Sequence, residues 1–136
     1  MVVNQNILVI DDEQVIIDAI SRIATSEGLR VDSTNDAKSA LIKLKEGNYS
    51  LILCDILLPE IDGFMFLDEL LKMRKNIPVI MITGYSTVEN AVKSIYKGAI
   101  DFVPKPFSFE ELKSCIVRGL QFNNLQKSIE AKKNSR

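Results

Sequence analysis

The chain has 136 residues, a net charge of −1 and an apolar content of 46%. That length fits one domain able to bury a core, and that composition argues against a disordered chain. Histidine is absent, which removes the commonest general base and metal ligand and excludes Ser-His-Asp and Cys-His nucleophile systems.

No apolar run approaches the roughly 20 residues of a membrane span, so no membrane association is expected. The opening Met-Val-Val-Asn-Gln-Asn lacks the basic flank of a signal peptide, so a cytoplasmic location is expected. Cys54 and Cys115 lie far apart and match no metal or redox spacing. Cys54, inside an apolar run, reads as a small buried hydrophobe. The charge is uneven: Lys127, Lys132, Lys133 and Arg136 face only Glu130 in the tail, leaving the body before it net acidic. An acidic body is a poor electrostatic match to nucleic acid, so no direct nucleic-acid binding is expected.

In chain order, Ile7–Ile10 is an apolar run that ends abruptly in Asp11-Asp12-Glu13. Val15, Ile16, Ala19, Ile20 and Ile23 follow at helical spacing, with Gly28 where a C-terminal cap belongs. Leu29–Ser33 reads as a short strand. Asn35 or Asp36 can cap the next helix, whose apolar side is Ala37, Ala40, Leu41 and Leu44 and which Gly47 ends. Leu51–Cys54 is a third apolar strand, followed by Asp55 with no polar lead-in. An unpaired buried carboxylate is costly, so an acid there needs a cation, a hydrogen-bond set or a reaction.

After Gly63, Phe64, Leu67, Leu70 and Leu71 mark a third helix, and Pro78 opens the strand Val79–Ile82. Ser86-Thr-Val-Glu89 has capping-box spacing for a helix through Ala91, Val92 and Ile95, closed by Gly98. Ile100–Val103 is the fifth strand, and Ser108-Phe-Glu-Glu111 is a second capping box opening the last helix. In that helix Phe109, Leu112, Ile116 and Leu120 form a stripe expected to face the sheet. Phe122, Leu125 and Ile129 form another stripe on roughly the opposite side, past the body. Gly119 and Asn123-Asn124 are weak helix formers and favour a frayed, partly disordered tail. The other reading is a helical extension or linker over 123–136 that pairs with its copy in a homodimer or leads to an output domain, with the main domain over 1–122.

Five strands alternate with five helices, which implies parallel pairing, and strands apolar throughout such as Ile7–Ile10, Leu51–Cys54 and Val79–Ile82 imply a sheet covered on both faces: a doubly wound α/β fold. Sites in such sheets form outside the carboxyl ends of the strands. Asp11 and Asp12 follow strand one, Asp55 strand three, Thr83 strand four and Lys105 strand five, so all fall on one edge. Three carboxylates at about 4 Å and an effective dielectric of about 20 repel by roughly 4 kcal/mol per pair. They can share a pocket only with a divalent cation or shared protons. All-oxygen ligation suits Mg²⁺. Lys105 suits a phosphate oxygen, Thr83 adds a hydroxyl, and Asp55 at the centre can be a nucleophile forming an aspartyl phosphate.

With these residues the sequence resembles a receiver domain of bacterial two-component response regulators. The matching fragments are Asp11-Asp12, Asp55-x-x-x-Pro59-x-x-Asp62-Gly63, Thr83-Gly84 and Lys105-Pro106-Phe107, across residues 5 to about 122. Gly84-Tyr85-Ser86 and Gly98–Phe107 are most like receivers of sigma54-dependent, nitrogen-regulation-type activators. The resemblance implies a flavodoxin-like strand order 2-1-3-4-5. It makes Asp55 the phosphoacceptor, with Mg²⁺ held by Asp11, Asp12, Asp55 and the backbone carbonyl of Leu57. Thr83 and Lys105 would contact the phosphoryl group, and the Lys105–Pro106 bond would be cis. Thr83 and Phe102 would be the switch residues. Leu57 and Tyr85 would flank the path of the hydrolytic water, and as bulky residues they imply slow self-dephosphorylation.

The implied function is a phosphorylation-operated signalling switch. Its phosphoryl donor would be a phosphohistidine on a sensor kinase or phosphotransfer protein. Its readout would be the surface of the fourth helix, fifth strand and fifth helix, acting on an output domain or partner. Blander readings remain for single residues. Glu13 reads as an acid favouring a helix N-terminus, Asp62-Gly63 as turn chemistry, and Phe102 as a packing residue. Two other functions are weighed: a Mg²⁺-dependent phosphohydrolase with an aspartyl nucleophile, for which the Asp-x-Asp spacing after strand one is missing, and a binding module indifferent to phosphate. On the implied function the chain is no conventional enzyme, catalysing only its own phosphorylation and dephosphorylation.

Overall fold

The computed structural model describes residues 5–134. Residues 1–4 and 135–136 lie outside it, so most of the N-terminal stretch and Arg136 of the basic tail are not placed. The elements are β1 (Asn6–Ile10), α1 (Gln14–Ser26), β2 (Arg30–Thr34), α2 (Ala37–Glu46) and β3 (Leu51–Cys54). They continue with α3 (Gly63–Lys72), β4 (Val79–Thr83), α4 (Val88–Tyr96), β5 (Asp101–Pro104) and α5 (Phe109–Asn134). The strands form one sheet in the order β2-β1-β3-β4-β5, every neighbouring pair parallel. This is the doubly wound order expected, with each boundary within a residue or two of its apolar run.

The continuous apolar strands are explained by how they divide. Ile7, Val9, Leu51, Leu53, Ile80 and Ile82 join Ile17, Ile20 and Ile23 of α1 and Leu112, Cys115 and Ile116 of α5 in one core. Leu8, Ile10, Ile52, Cys54, Val79 and Met81 join Ala37, Ala40 and Leu44 of α2 and Phe64, Phe66, Leu67 and Leu70 of α3 in the other. Successive strand residues point to opposite faces. With helices on both faces, the interior positions of β1, β3 and β4 must therefore be apolar, while the edge strands β2 (Arg-Val-Asp-Ser-Thr) and β5 (Asp-Phe-Val-Pro) stay partly exposed and carry polar residues.

Local chemistry sets the helix ends. Asp36 and Asp62 cap α2 and α3, their carboxylates accepting from the Ser39 and Met65 N–H at 2.7 and 2.9 Å. Ser108 and Glu111 cap α5 reciprocally: Ser108 Oγ accepts from Glu111 N–H at 3.1 Å and Glu111 Oε1 from Ser108 N–H at 3.2 Å. The expected box at Ser86–Glu89 is corrected. Thr87 is the cap of α4, its Oγ1 accepting from Asn90 N–H at 3.1 Å. Ser86 and Thr87 offer the same hydroxyl, and the helix starts one residue later than the Ser-x-x-Glu spacing suggests.

Two helices depart from their patterns. In α5 the stripe against the sheet is Leu112, Cys115, Ile116 and Leu120, while Phe109, expected there, is 47% exposed. Phe109 is the first residue of α5, ahead of the turn where the helix meets the sheet. The helix then runs unbroken to Asn134. Beyond the body it turns Asn123 inward and leaves Phe122, Leu125 and Ile129 exposed. In α4 only Ser94 is buried, and Val88, Val92, Ile95 and Tyr96 all face solvent. That helix is tied to α3 from its surface instead. Lys93 Nζ sits 4.5 Å over the Phe64 ring, and Lys97 pairs with Asp68 at 3.0 Å.

Among the described residues no helix is long and apolar enough to cross a membrane.

Candidate functional site

At the carboxyl edge of the sheet, β1 delivers Asp11, β3 delivers Asp55 and β4 delivers Thr83. The register pairs Ile10 with Cys54 and Thr83 with Pro104, so the residues that follow those strands emerge side by side. Backbone bonds lock this edge: Asp55 N–H donates to Ile10 O at 2.9 Å, and Lys105 N–H donates to Thr83 O at 2.9 Å. Behind Asp55 the connecting loop folds back, with Gly63 N–H donating to Ile56 O at 2.8 Å. A side chain at Gly63 would come within 2.8 Å of Met81 Cε and 2.9 Å of Ile56 Cα. The glycine after the Asp62 cap is thus required by close approach.

The Lys105 ammonium is the hub. Its Nζ lies 2.8 Å from Asp11 Oδ2, 2.9 Å from Glu13 Oε1 and 3.0 Å from Asp55 Oδ2. Asp11 and Asp55 are buried, while Asp12 and Glu13 are exposed at the rim. The free oxygens of the buried acids are also occupied. Asp11 Oδ1 accepts from Glu13 N–H at 2.9 Å, and Asp55 Oδ1 accepts from Leu57 N–H at 3.3 Å. Burial raises the Asp11 carboxyl above the ordinary range, the hydrogen bonds from Lys105 and Glu13 N–H offsetting only part of the cost. Burial alone would lower the Lys105 ammonium, but the hydrogen bonds to Asp11, Glu13 and Asp55 outweigh it and push it well up. Lys105 is therefore charged at any physiological pH.

Thr83 is fully buried, and its Oγ1 accepts from Tyr85 N–H at 3.1 Å. Its hydroxyl proton remains available to donate. Leu57 and Tyr85, both more than half exposed, line the same open cleft as Asp12, Glu13, Asp55, Thr83, Gly84 and Lys105. The Lys105–Pro106 bond is cis, and Pro106 lines the cleft. Phe102 stands apart on β5, half-buried and packed against the α2–α3 core.

The structure thus gathers Asp11, Asp12, Asp55, Leu57, Thr83, Tyr85, Lys105 and Pro106 at one cleft and places Phe102 outside it. Glu13, read from sequence only as an acid at a helix start, joins the site. It occupies the cap position of α1, yet its side chain caps no N–H there. A signal was present: three consecutive acids precede a helix that needs one cap.

One carboxylate oxygen each from Asp11, Asp12, Glu13 and Asp55 lie within 4.8 Å of one another. An all-oxygen, multiply anionic donor set fits a hard divalent cation such as Mg²⁺. With one ammonium against four acids, the cleft retains negative charge for such an ion to neutralise.

Comparison with known proteins agrees with this geometry. The model of the response regulator receiver domain matches residues 7–117. The transcriptional regulatory protein ZraR of Klebsiella oxytoca is 34% identical over 123 residues, covering 90% of this chain and 28% of that protein. The regulatory protein AtoC of Escherichia coli K12 is likewise 34% identical over 123 residues, 90% of this chain and 27% of its own length. The chain therefore spans little more than a quarter of these relatives. Among solved structures, NtrX from Brucella abortus superposes with a TM-score of 0.87 at 35% identity, covering 95% of this chain and 29% of that one. A CheY-like receiver domain protein from Methanospirillum hungatei superposes at 0.84 and 31% identity, covering 91% and 99%. NtrX places the resemblance with receivers of the nitrogen-regulation type. The acid-lined edge and the match from strand one into α5 lead to one conclusion: the chain belongs to the response regulator receiver domain family.

Proposed function

We propose that the chain is a phosphorylation-operated switch with Asp55 as phosphoacceptor. The observation that carries this is the ammonium of Lys105 held 3.0 Å from a buried Asp55 carboxylate at the open carboxyl edge of the sheet. Such a carboxylate can form a bond to phosphorus while a cation waits beside the incoming oxygens. The donor is a phosphohistidine of a sensor kinase or phosphotransfer protein. As the Asp55 oxygen bonds to phosphorus, the P–N bond breaks, and the imidazole nitrogen keeps the electron pair and takes a proton from solvent.

Asp11, Asp12, Asp55 and the Leu57 carbonyl are the residues that would hold Mg²⁺. When bound, the ion supplies positive charge that offsets the phosphoryl oxygens. Lys105 then shifts a hydrogen bond from carboxylate to phosphoryl oxygen, and Thr83 donates its hydroxyl proton to the same group. Those movements bias Phe102 and the weakly anchored α4 between two arrangements. The α4–β5–α5 surface reports the change to an output domain or partner. Residues 1–122 form the switch, working in the cytoplasm, and the segment 123–136, helical over its described residues 123–134, is an arm toward that output or toward a second copy.

Intact-mass measurement after acetyl phosphate with Mg²⁺ tests the reading. One phosphoryl adduct is expected on the parent and none on Asp55→Asn. Equal labelling of both, or labelling of neither, overturns it.

A further inference from the structure

A lysine ammonium has three N–H donors. At Lys105 two are given to Glu13 and Asp55 at 2.9 and 3.0 Å, and the ammonium also pairs with Asp11 at 2.8 Å. The three acids differ in what releasing the lysine would cost. Asp11 and Asp55 are almost wholly buried, with side chains 3% and 6% exposed, and either would be left as an uncompensated charge in a poorly solvated place. The Glu13 side chain is 54% exposed and can return to water cheaply. It makes no capping bond at α1 that would hold it elsewhere.

We propose that Glu13 is a positioning residue that parks the Lys105 ammonium in the resting state and is the contact surrendered when an anion arrives at Asp55. The proposal rests on the receiver reading above and concerns how that site is regulated. Glu13 acts in two ways. It competes with the incoming oxygens for one lysine N–H. It also adds a fourth negative charge within 4.8 Å of the other carboxylates, where like charges repel an arriving anion. Both effects set a threshold that the phosphoryl group must overcome. The residue is therefore a determinant of how readily the switch turns on, distinct from the acids that would hold the cation.

The test uses the whole chain with saturating Mg²⁺ and beryllofluoride, a tetrahedral phosphoryl mimic, titrated while backbone amide resonances of the cleft are followed. Glu13→Gln removes the charge and keeps the shape, and it is expected to lower the half-saturating beryllofluoride concentration about tenfold. The Lys105 ammonium ¹⁵N–¹H signal gives a readout independent of anion binding. It should exchange with water faster in Glu13→Gln than in the parent before any ligand is added. Glu13→Asp keeps the charge on a side chain one methylene shorter, and should show the fast exchange with a smaller change in affinity.

A Glu13→Gln titration within twofold of the parent, or an unchanged ammonium signal, overturns the proposal. Acetyl phosphate separates this from failure of the underlying reading. If the parent acquires the Asp55 adduct and Glu13→Gln titrates like the parent, only the role of Glu13 falls. If the parent acquires none, both fall.

Discussion

Gly119 of α5 lies directly on Leu51 of β3. A methyl group at position 119 would come within 2.6 Å of Leu51 Cδ1 and 3.2 Å of Ile80 Cδ1. A glycine costs a helix interior about 1 kcal/mol relative to alanine, so its presence mid-helix needs a reason, and the reason is this contact. Both opposing side chains are fully buried and have little room to turn aside. Gly119→Ala should gain helix propensity and lose more to overpacking, which costs typically 1–3 kcal/mol. A net destabilisation of about 1 kcal/mol by urea unfolding is expected. A variant as stable as the parent would show that α5 does not approach the sheet this closely.

The same glycine shows where the sequence is legible and where it is not. Read alone, Gly119 beside Asn123-Asn124 signals a failing helix. In the fold it is a point of close packing in an unbroken one. Propensity is a local quantity, and here a tertiary contact overrides it. The inner strands were readable because a sheet covered on both faces demands apolar residues at their interior positions, and parallel topology then puts Asp11, Asp55, Thr83 and Lys105 on one edge. The partners of Lys105 were not readable. Glu13 carries the same charge whether it caps a helix or holds a lysine, and only the reach of the Lys105 side chain from beyond β5 to the end of β1 distinguishes them. The exposure of α4 was hidden likewise, since Ala91, Val92 and Ile95 have helical spacing whichever way they face.

Two carboxyls outside the ordinary range act on stability with opposite sign. Asp101 is lowered: burial pushes it up, but the Cys115 thiol, Phe102 N–H and Arg118 outweigh that. Its contribution is present above the ordinary value of 3.8 and lost as pH falls through its folded value. Asp11 is raised, so its burden is absent at low pH and grows as pH rises through its folded value. Asp101→Asn should therefore cost about 1 kcal/mol at pH 7 and progressively less toward pH 3, where the parent has lost the same contacts. In EDTA, Asp11→Asn should compare more favourably with the parent at pH 7 than at pH 3.5. Urea unfolding across that range measures both; parallel curves for parent and variants would contradict the assignment.

The two thiols should be silent in the folded protein. Cys54 is wholly enclosed, and burial first, then the nearby acids, push its thiol far up. Cys115 is pushed to about 12, again by burial first and then by the Asp101 carboxylate that accepts its S–H at 3.1 Å. The thiolate is the reactive form, so a disulfide reagent at pH 8 should label neither cysteine until urea is added, and then both. Asp101→Ala removes the carboxylate and should make Cys115 the faster of the two. Rapid labelling of Cys115 in the native parent would refute the enclosed arrangement at β5 and α5.

The lifetime of the acyl phosphate proposed at Asp55 is the sharpest consequence of the cleft's rim. Leu57 and Tyr85, 54% and 56% exposed, stand on the cleft wall above Asp55. Neither offers a carboxamide or carboxylate to orient an attacking water. Tyr85 contributes its backbone N–H, which is already given to Thr83 Oγ1. Hydrolysis of phosphorylated Asp55 should therefore be slow, because Leu57 and the Tyr85 ring crowd the path of the water and neither carries a carboxamide or carboxylate to orient it. Leu57→Asn replaces that bulk with an amide of similar reach and should shorten the half-life about tenfold, one decade corresponding to about 1.4 kcal/mol of barrier. Residue 57 lies outside the core, so stability should change little. Decay is followed by intact mass after removing excess acetyl phosphate. An unaltered half-life in Leu57→Asn would mean that access past residue 57 does not limit hydrolysis, and Tyr85→Asn would then be the variant expected to accelerate it.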